Sequence, residues 1–253
     1  MRSLYENKGR AANNAFVVEG ARFADEIPSS WNVRFYLASE SFVLKGVDKY
    51  LPIAPVYVAD DRTFQSACDT ITPQGILAVC DKPNTKLTDE RLTQLLKNEN
   101  PLFLLLENTQ DPGNLGAAIR SADAAGAAAV FVSAGSVDIF NPKVIRSAAG
   151  SVFNLPFFTE ADILIVIDTL KHKGIGVYAA SLDGADSLYS LNLNSGCAFV
   201  IGNEARGLRR ETIMRCGASV KIPVAGKAES LNAAVACGVL LYEALRQKIT
   251  NIS

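Results

Sequence analysis

Three segments of the chain carry polar side chains that could take part in chemistry, and each segment follows an apolar run. The first, residues 107–120, ends on the guanidinium of Arg120. The second, residues 201–208, holds the carboxylate of Glu204, and the third passes through Ser230 into a long helical stretch. A guanidinium can stabilise a developing negative charge, a carboxylate accepts hydrogen bonds, and the free amides of a helix start can bind a ligand. Together the three segments predict a ligand site.

The first segment admits two interpretations of its arginine. Residues 111–114 have turn composition, and Asn114 is predicted to cap the helix that follows. A helical side chain leans toward the preceding turn, so Arg120 can lie over Gly116 and reach the loop at the strand end. Alternatively, Arg120 forms an exposed pair with Asp123 on the same helix. For an isolated helical arginine the pair with Asp123 is the favoured interpretation, so this segment alone is weak evidence for chemistry.

The other two segments also have structural interpretations. Gly202 allows a backbone to approach a ligand closely, or it simply forms a turn together with Gly207. Ser230 is predicted to cap a helix over residues 231–247, whose first amides could bind a ligand. The small residues of that helix would equally permit close packing against another helix.

The elements that must position these segments form a predicted parallel sheet. Near-continuous apolar runs occur at residues 102–106, 128–132, 176–180, 198–201 and 219–222. Strands that are apolar on both faces and separated by helices indicate a parallel sheet covered on both sides. Ligands of such sheets gather at the carboxyl ends of the strands, which is where the three segments begin.

A smaller α/β domain is predicted ahead of this sheet. Strand-like runs occur at residues 16–19, 33–38, 55–59 and 76–80. A polar stretch with a short amphipathic helix follows them. We therefore predict a first domain at residues 1–82 and a second domain at residues 101–253. The linker between them, residues 83–100, contains this short helix.

Composition excludes several classes of protein. Hydrophobic residues make up 49% of the 253 residues and charged residues 20%, so the chain is expected to form globular domains. No apolar run approaches the length of a bilayer span and no signal peptide is recognisable, which predicts a cytoplasmic protein. The formal net charge of −1 means that any contact with nucleic acid depends on local basic patches.

Metal, disulfide and phosphate-loop chemistry have no support in the sequence. The 5 cysteines are widely spaced without a C-x-x-C pair, and His172 is the only histidine. Neither a P-loop nor a G-x-G-x-x-G fingerprint is present, which disfavours nucleotide-dependent kinases and ordinary dehydrogenases. We therefore expect no resident metal.

The ordered set of motifs resembles one known family. The motifs are, in chain order, Asn114 with Arg120, N-P-K-V-I-R-S-A-A-G at residues 141–150, G-N-E-A-R-G-L at residues 202–208, and Ser230-Leu231-Asn232 after Ile222. In this order they resemble the SpoU/TrmH RNA ribose methyltransferases of the SPOUT superfamily, over residues 101 to about 248. The first hundred residues resemble the substrate-binding domain that often precedes them.

The resemblance implies an α/β fold with a deep trefoil knot in its parallel-sheet domain, a small ribosomal-protein-like domain before it, a homodimer, and S-adenosylmethionine as methyl donor. The implied donor contacts are Ala180, Ser181, Leu182, Gly202, Ile222, Leu231 and Asn232. The implied catalytic residues are Asn114, Arg120, Glu204, Ser230 and Asn232. The implied RNA contacts are Lys143 and Arg146, although Arg146 could instead be a structural ion-pair residue. Ala149 and Val224 depart from the common family pattern without changing the polar set.

The implied reaction is methylation of a ribose 2′-hydroxyl in structured RNA. We expect 23S ribosomal RNA as the substrate, with transfer RNA as the alternative; a catalytically silent RNA-binding module that keeps the fold is a further alternative. A guanidinium is a poor base because it is effectively always charged in proteins. Arg120 could be transiently neutral beside an RNA phosphate, or it could remain cationic and stabilise the developing alkoxide. We favour the second route.

Overall fold

The computed structural model describes residues 1–183 and 185–250. They form two compact units. The first comprises Met1–Asn84 and Asp138–Phe153, and the second comprises Thr85–Val137 and the described residues from Asn154 onward. Residues 138–153 thus belong to the first unit, although they fall inside the predicted domain 101–253. The domain boundaries at residues 82 and 100 stay predictions.

Helices and strands alternate along much of the chain. The helices of the described residues are α1 (Asn7–Asn13), α2 (Ala21–Glu26), α3 (Glu40–Val43), α4 (Asp61–Ala67), α5 (Asp89–Leu95), α6 (Pro112–Ala124), α7 (Pro142–Ala148), α8 (Ser151–Asn154), α9 (Ile163–His172), α10 (Arg210–Cys216) and α11 (Ala233–Thr250). The strands are β1 (Ala15–Glu19), β2 (Val33–Ser39), β3 (Val56–Ala59), β4 (Ile76–Asp81), β5 (Leu102–Leu106), β6 (Ala129–Ser133), β7 (Phe157–Ala161), β8 (Gly176–Ala180), β9 (Asp186–Ser187), β10 (Cys197–Ile201) and β11 (Ala218–Lys221).

The second unit is built on a parallel sheet in the order β7-β6-β5-β10-β8-β11-β9. Successive side chains of a strand point to opposite faces. Phe103 and Leu105 accordingly join the core to which α9 contributes Ile167 and Leu170, while Leu104, buried equally well, faces the other side. Helices α6 and α11 pack against each other, and α6 contacts β6 while α11 contacts β5 and β10. The predicted parallel sheet with two covered faces is confirmed.

The first unit contains a four-stranded mixed sheet in the order β1-β4-β2-β3. Strand β4 is antiparallel to β1 and β2, while β3 is parallel to β2. The core includes Val17, Phe64 and Val79. The buried guanidinium of Arg10 donates to the Asp138 carboxylate at 2.7 Å and so joins the two chain segments of this unit.

The predicted strands coincide with the observed ones to within one residue at each end. Two strands were not predicted. Strand β7 contains polar residues that interrupt its apolar run, and β9 has only 2 residues, which are too few to form a pattern. The 5 cysteines are free, and all except Cys68 are buried. No helix among the described residues has the length and hydrophobicity that a membrane crossing requires.

Candidate active site

Four neighbouring strands of the second unit end at the same edge of the sheet. Strands β5, β10, β8 and β11 lie side by side and are parallel, so their carboxyl ends meet. The chain after β5 leads into α6, the chain after β10 forms the loop 202–208, and the chain after β11 leads into α11. The three segments that carry the candidate polar residues converge there, as predicted.

A chain of hydrogen bonds joins the three segments. Asn232 donates from Nδ2 to Oδ1 of Asn114 at 2.8 Å, and Asn114 donates from Nδ2 to Oε1 of Glu204 at 3.2 Å. Oδ1 of Asn232 in turn accepts from the backbone amides of Ala234 and Val235 at 2.9 and 3.2 Å. Both side-chain amides therefore use a donor and an acceptor within the chain, which fixes their orientation.

Glu204 ends this chain of hydrogen bonds. Its carboxylate also accepts from the backbone amides of Gln110 and Asp111, each at 3.3 Å. Partial desolvation raises the pKa of Glu204, but hydrogen bonds from its own loop, from Asn114 and from these two amides outweigh it, so the pKa lies below its usual range. Glu204 is therefore ionised at neutral pH, and its charge lies beside the start of α6, where a helix favours an anion.

The shape of the loop 202–208 depends on Gly202. A Cβ at this position would lie 2.2 Å from the carbonyl carbon of Gly207 and 2.3 Å from the backbone nitrogen of Leu208. Of the two sequence interpretations, the structure shows the turn with Gly207, because the close approach is made by the loop's own backbone. Asn203 holds the loop to the end of β5 by donating from Nδ2 to the Asn108 carbonyl at 2.8 Å.

Two helix starts differ from the predictions. Helix α6 is capped by Asp111, whose Oδ1 accepts from the amide of Asn114 at 2.8 Å. The prediction that Asn114 is the cap was wrong because its side chain bonds Glu204 and Asn232 instead. Helix α11 begins two residues later than predicted, with Asn232 accepting from its first turn. Ser230 is therefore not its cap.

Two cavities open at this edge of the sheet and share a wall. The smaller, of about 670 Å³, lies between the ends of β8, β10 and β11 and the start of α11. Its lining includes each of the predicted methyl-donor contacts, namely Ala180, Ser181, Leu182, Gly202, Ile222, Leu231 and Asn232. The larger, of about 890 Å³, is bounded by Asn108, Gln110 and Gly135. The shared wall contains Asn114, Glu204 and Asn232.

The structure brings together four of the five predicted catalytic residues. The smaller cavity is lined by Asn114, Glu204, Ser230 and Asn232, whereas Arg120 lines neither cavity. Arg120 is exposed on α6, six residues beyond Asn114. Six residues turn a helix by about 600°, so the two side chains point in directions about 120° apart around the helix axis. Within residues 1–183 and 185–250, the Arg120 guanidinium has no hydrogen bond or ion pair, and the alternative pair with Asp123 is not formed.

The two predicted RNA-contact residues lie on α7 in the first unit. Lys143 is exposed. Arg146 forms an ion pair with Asp69 at 2.9 Å, with both side chains about half-exposed. The alternative interpretation of Arg146, a structural ion pair, is therefore observed.

Sequence reasoning missed three residues of the site. Asp111 caps α6, Asn203 anchors the loop 202–208, and Arg206 lines both cavities with an exposed side chain. A signal was available for Arg206, since it lies inside the G-N-E-A-R-G-L motif. The roles of Asp111 and Asn203 depend on backbone geometry, which the motif does not specify.

Comparison with known proteins extends these observations. The model of the SpoU rRNA Methylase family matches residues 101–242, and that of the MRM3-like substrate binding domain matches residues 1–78. The chain is 32% identical to the 23S rRNA (guanosine(2553)-2′-O)-methyltransferase RlmP of Bacillus subtilis over 95% of this chain and 92% of that protein. It is 33% identical to the 23S rRNA (guanosine-2′-O-)-methyltransferase RlmB of Vibrio cholerae over 84% of this chain and 90% of that protein.

A solved structure agrees with these sequence relationships. The SpoU methyltransferase AviRb from Streptomyces viridochromogenes, in complex with the cofactor AdoMet, superposes with a TM-score of 0.85. That likeness covers 98% of this chain and 96% of the other at 28% identity. The expected fold class, a knotted parallel-sheet SPOUT domain preceded by a small α/β domain, is confirmed. The chain belongs to the SpoU rRNA methylase family.

Proposed function

We propose that this protein transfers a methyl group from S-adenosylmethionine to a ribose 2′-hydroxyl of 23S ribosomal RNA. The observation that carries the proposal is the wall of Asn114, Glu204 and Asn232 shared by two cavities, because methyl transfer requires a donor and an acceptor side by side. The relatives that match most of the chain are named as 23S rRNA 2′-O-methyltransferases. Those names favour ribosomal RNA over the transfer-RNA alternative.

The smaller cavity suits S-adenosylmethionine. Its volume of about 670 Å³ falls within the range of small-molecule sites, and its walls combine apolar side chains with the ends of three strands. Ile222 and Leu231 provide apolar surface for the adenosine, while the ionised Glu204 provides a countercharge for a sulfonium. When bound, S-adenosylmethionine supplies an electrophilic methyl group. The chain's own residues must then orient the RNA hydroxyl.

The larger cavity suits a nucleotide that has left its stack. Its lining is dominated by polar groups, including Asn108, Gln110 and Arg206. Enzymes that modify one nucleotide commonly extrude it into such a pocket. In this arrangement Asn114, Glu204 and Asn232 separate the two ligands and position them.

We assign Arg120 to the stabilisation of negative charge on the ribose oxygen. Its exposed guanidinium is without a partner among the described residues, so it is available to bound RNA. As a permanent cation it favours the alkoxide that develops as the hydroxyl proton leaves to solvent. The residue acts once RNA is bound, which accords with its position outside both cavities.

Replacement of Arg120 tests this assignment. We expect Arg120→Ala to abolish methylation while calorimetry shows almost unchanged S-adenosylmethionine affinity, and Arg120→Lys to retain part of the activity because the charge is kept. Asp123→Ala, on the same helix, is the control for general damage and should stay active. Full turnover by Arg120→Ala in a tritiated-methyl assay would refute the assignment. A wild-type protein that binds no S-adenosylmethionine would instead favour a silent RNA-binding module.

The finer assignments are also proposals. We propose that Lys143 and Arg146 contact RNA phosphates and that residues 1–82 bind the RNA, supported by the match to a substrate binding domain over residues 1–78. We propose that the protein acts as a homodimer, supported by exposed apolar side chains on α11. Because the named relatives act on ribosomal RNA, we place its activity in the cytoplasm.

A further inference from the structure

Glu107 is a buried carboxylate to which the proposed chemistry assigns no part. It directly follows β5, and only 3% of its surface is exposed. Oε1 accepts from the Thr212 hydroxyl at 2.6 Å and from Nε of Arg209 at 2.8 Å, while Oε2 accepts from the Arg209 backbone amide at 3.0 Å. A buried charge is tolerated only when it is paired and hydrogen-bonded, and these donors satisfy both oxygens.

These contacts make Glu107 the cap of a helix more than a hundred residues away. Arg209 occupies the capping position of α10, but its own side chain makes no capping hydrogen bond. Glu107 serves this helix start instead, because its carboxylate accepts from the backbone amide of Arg209 and binds the side-chain hydroxyl of Thr212 in the first turn. The negative charge also lies where a helix start favours an anion.

The loop that lines both cavities is thereby held at both of its ends by the end of β5. At one end Asn203 donates to the carbonyl of Asn108, and at the other the Glu107 carboxylate holds the amide of Arg209. Glu204 lies between these two anchors. A shift of this loop would move one wall of the donor cavity and the Glu204 carboxylate together.

We propose that Glu107 is a positioning residue for methyl transfer: it fixes the loop between β10 and α10 and thereby shapes the donor cavity. This inference rests on the proposed function of that cavity. Glu107 lines neither cavity and acts through the loop.

The contacts of Glu107 differ in how much their loss is expected to affect donor binding. The Arg209 side chain is 60% exposed, so in Arg209→Ala water can replace its guanidinium beside the carboxylate, and the Arg209 backbone amide remains as a donor. Thr212 is fully buried, so loss of its hydroxyl leaves a buried carboxylate oxygen short of a donor. The proposal therefore predicts a graded series in which Arg209→Ala is mild, Thr212→Val is intermediate, and Glu107→Ala and Glu107→Gln are severe.

The test measures S-adenosylmethionine affinity by calorimetry and methylation kinetics on 23S ribosomal RNA, at a temperature where each variant is folded. We expect Thr212→Val to weaken donor binding by about tenfold and Glu107→Gln to weaken it further, since small misplacements in a site have effects of this order. Glu243→Gln is the matched control, because Glu243 is also a buried carboxylate with an arginine partner, Arg246, but lies on α11 away from the loop. It should lose thermal stability and keep wild-type donor affinity.

The outcomes separate this inference from the function on which it rests. If the wild type fails to bind S-adenosylmethionine, the proposed function fails. If the wild type binds it and the Thr212 and Glu107 variants match Glu243→Gln in affinity and turnover, the positioning role is overturned. Should Glu107→Ala not fold, Thr212→Val and Glu107→Gln decide the question.

Discussion

Arg146 has one partner in the structure, and RNA is the second partner that we propose for it. In the structure it pairs with Asp69, and the two side chains are 36% and 43% exposed. Exposed ion pairs of this kind contribute little to stability, so exchanging the carboxylate for an RNA phosphate has a small cost. The neighbouring Lys143 is exposed on the same helix. Both side chains can therefore serve RNA without loss of the fold.

We expect Arg146→Ala to weaken RNA binding and to flatten its salt dependence. A lost phosphate contact lowers the slope of log K against log salt by about one. Binding would be followed by fluorescence anisotropy with a 23S ribosomal RNA fragment over a range of salt concentrations. Asp69→Asn is the control, since it releases Arg146 and should keep the wild-type slope. An unchanged slope in Arg146→Ala would leave the residue with its ion-pair role alone.

At the scale of elements, the loop 202–208 is the part of the site that the structure constrains most tightly. Gly202 permits contact between the loop's two ends, and Asn203 and Glu204 bond the segment that follows β5. Every one of these contacts joins backbone or short side chains. A carbon added at Gly202 therefore cannot be accommodated unless the loop moves.

Substitution of Gly202 tests this directly. In Gly202→Ala the new Cβ would meet the backbone of Gly207 and Leu208 at 2.2–2.3 Å, so the loop must shift and S-adenosylmethionine affinity should fall by about tenfold or more. The matched control is Gly226→Ala, where an added Cβ has no atom within 4 Å. Equal affinities of the two variants, measured by calorimetry, would contradict the argument.

The sequence predicted every strand of the described residues except β7 and β9, and it predicted the meeting of the three segments, because apolar runs mark parallel strands and their carboxyl ends must coincide. It failed at helix starts, where neighbouring residues compete. Asp111 and Asn114 are both good caps, and only the distant partners of Asn114, Glu204 and Asn232, decide between them. The position of Arg120 outside the cavities also depended on the start and rotation of α6, which no local pattern fixes.

At the scale of the whole molecule, α11 presents apolar side chains to solvent. Val235, Tyr242 and Ile249 are each at least half-exposed on this long helix. An apolar surface of this kind commonly marks a protein interface. A second copy of the chain is the partner that we propose for it.

We expect sedimentation velocity to give about twice the 27.1 kDa mass of the chain. Tyr242→Glu should shift the protein toward the monomer, because a charge would be buried without a partner in the interface. Tyr57→Glu, at a tyrosine of the first unit that is 58% exposed against 50% for Tyr242, is the control and should remain dimeric. A wild-type protein that sediments as a monomer at micromolar concentration would end the proposal.

The wall common to the two cavities has an energetic consequence. Because Asn114, Glu204 and Asn232 are already held by their mutual hydrogen bonds, neither ligand has to spend binding energy on ordering them. Under the proposed function, methyl transfer would leave a neutral thioether in place of a cationic sulfonium in the cavity that Glu204 lines. The by-product would then lack the electrostatic attraction to the Glu204 carboxylate that a bound donor would have.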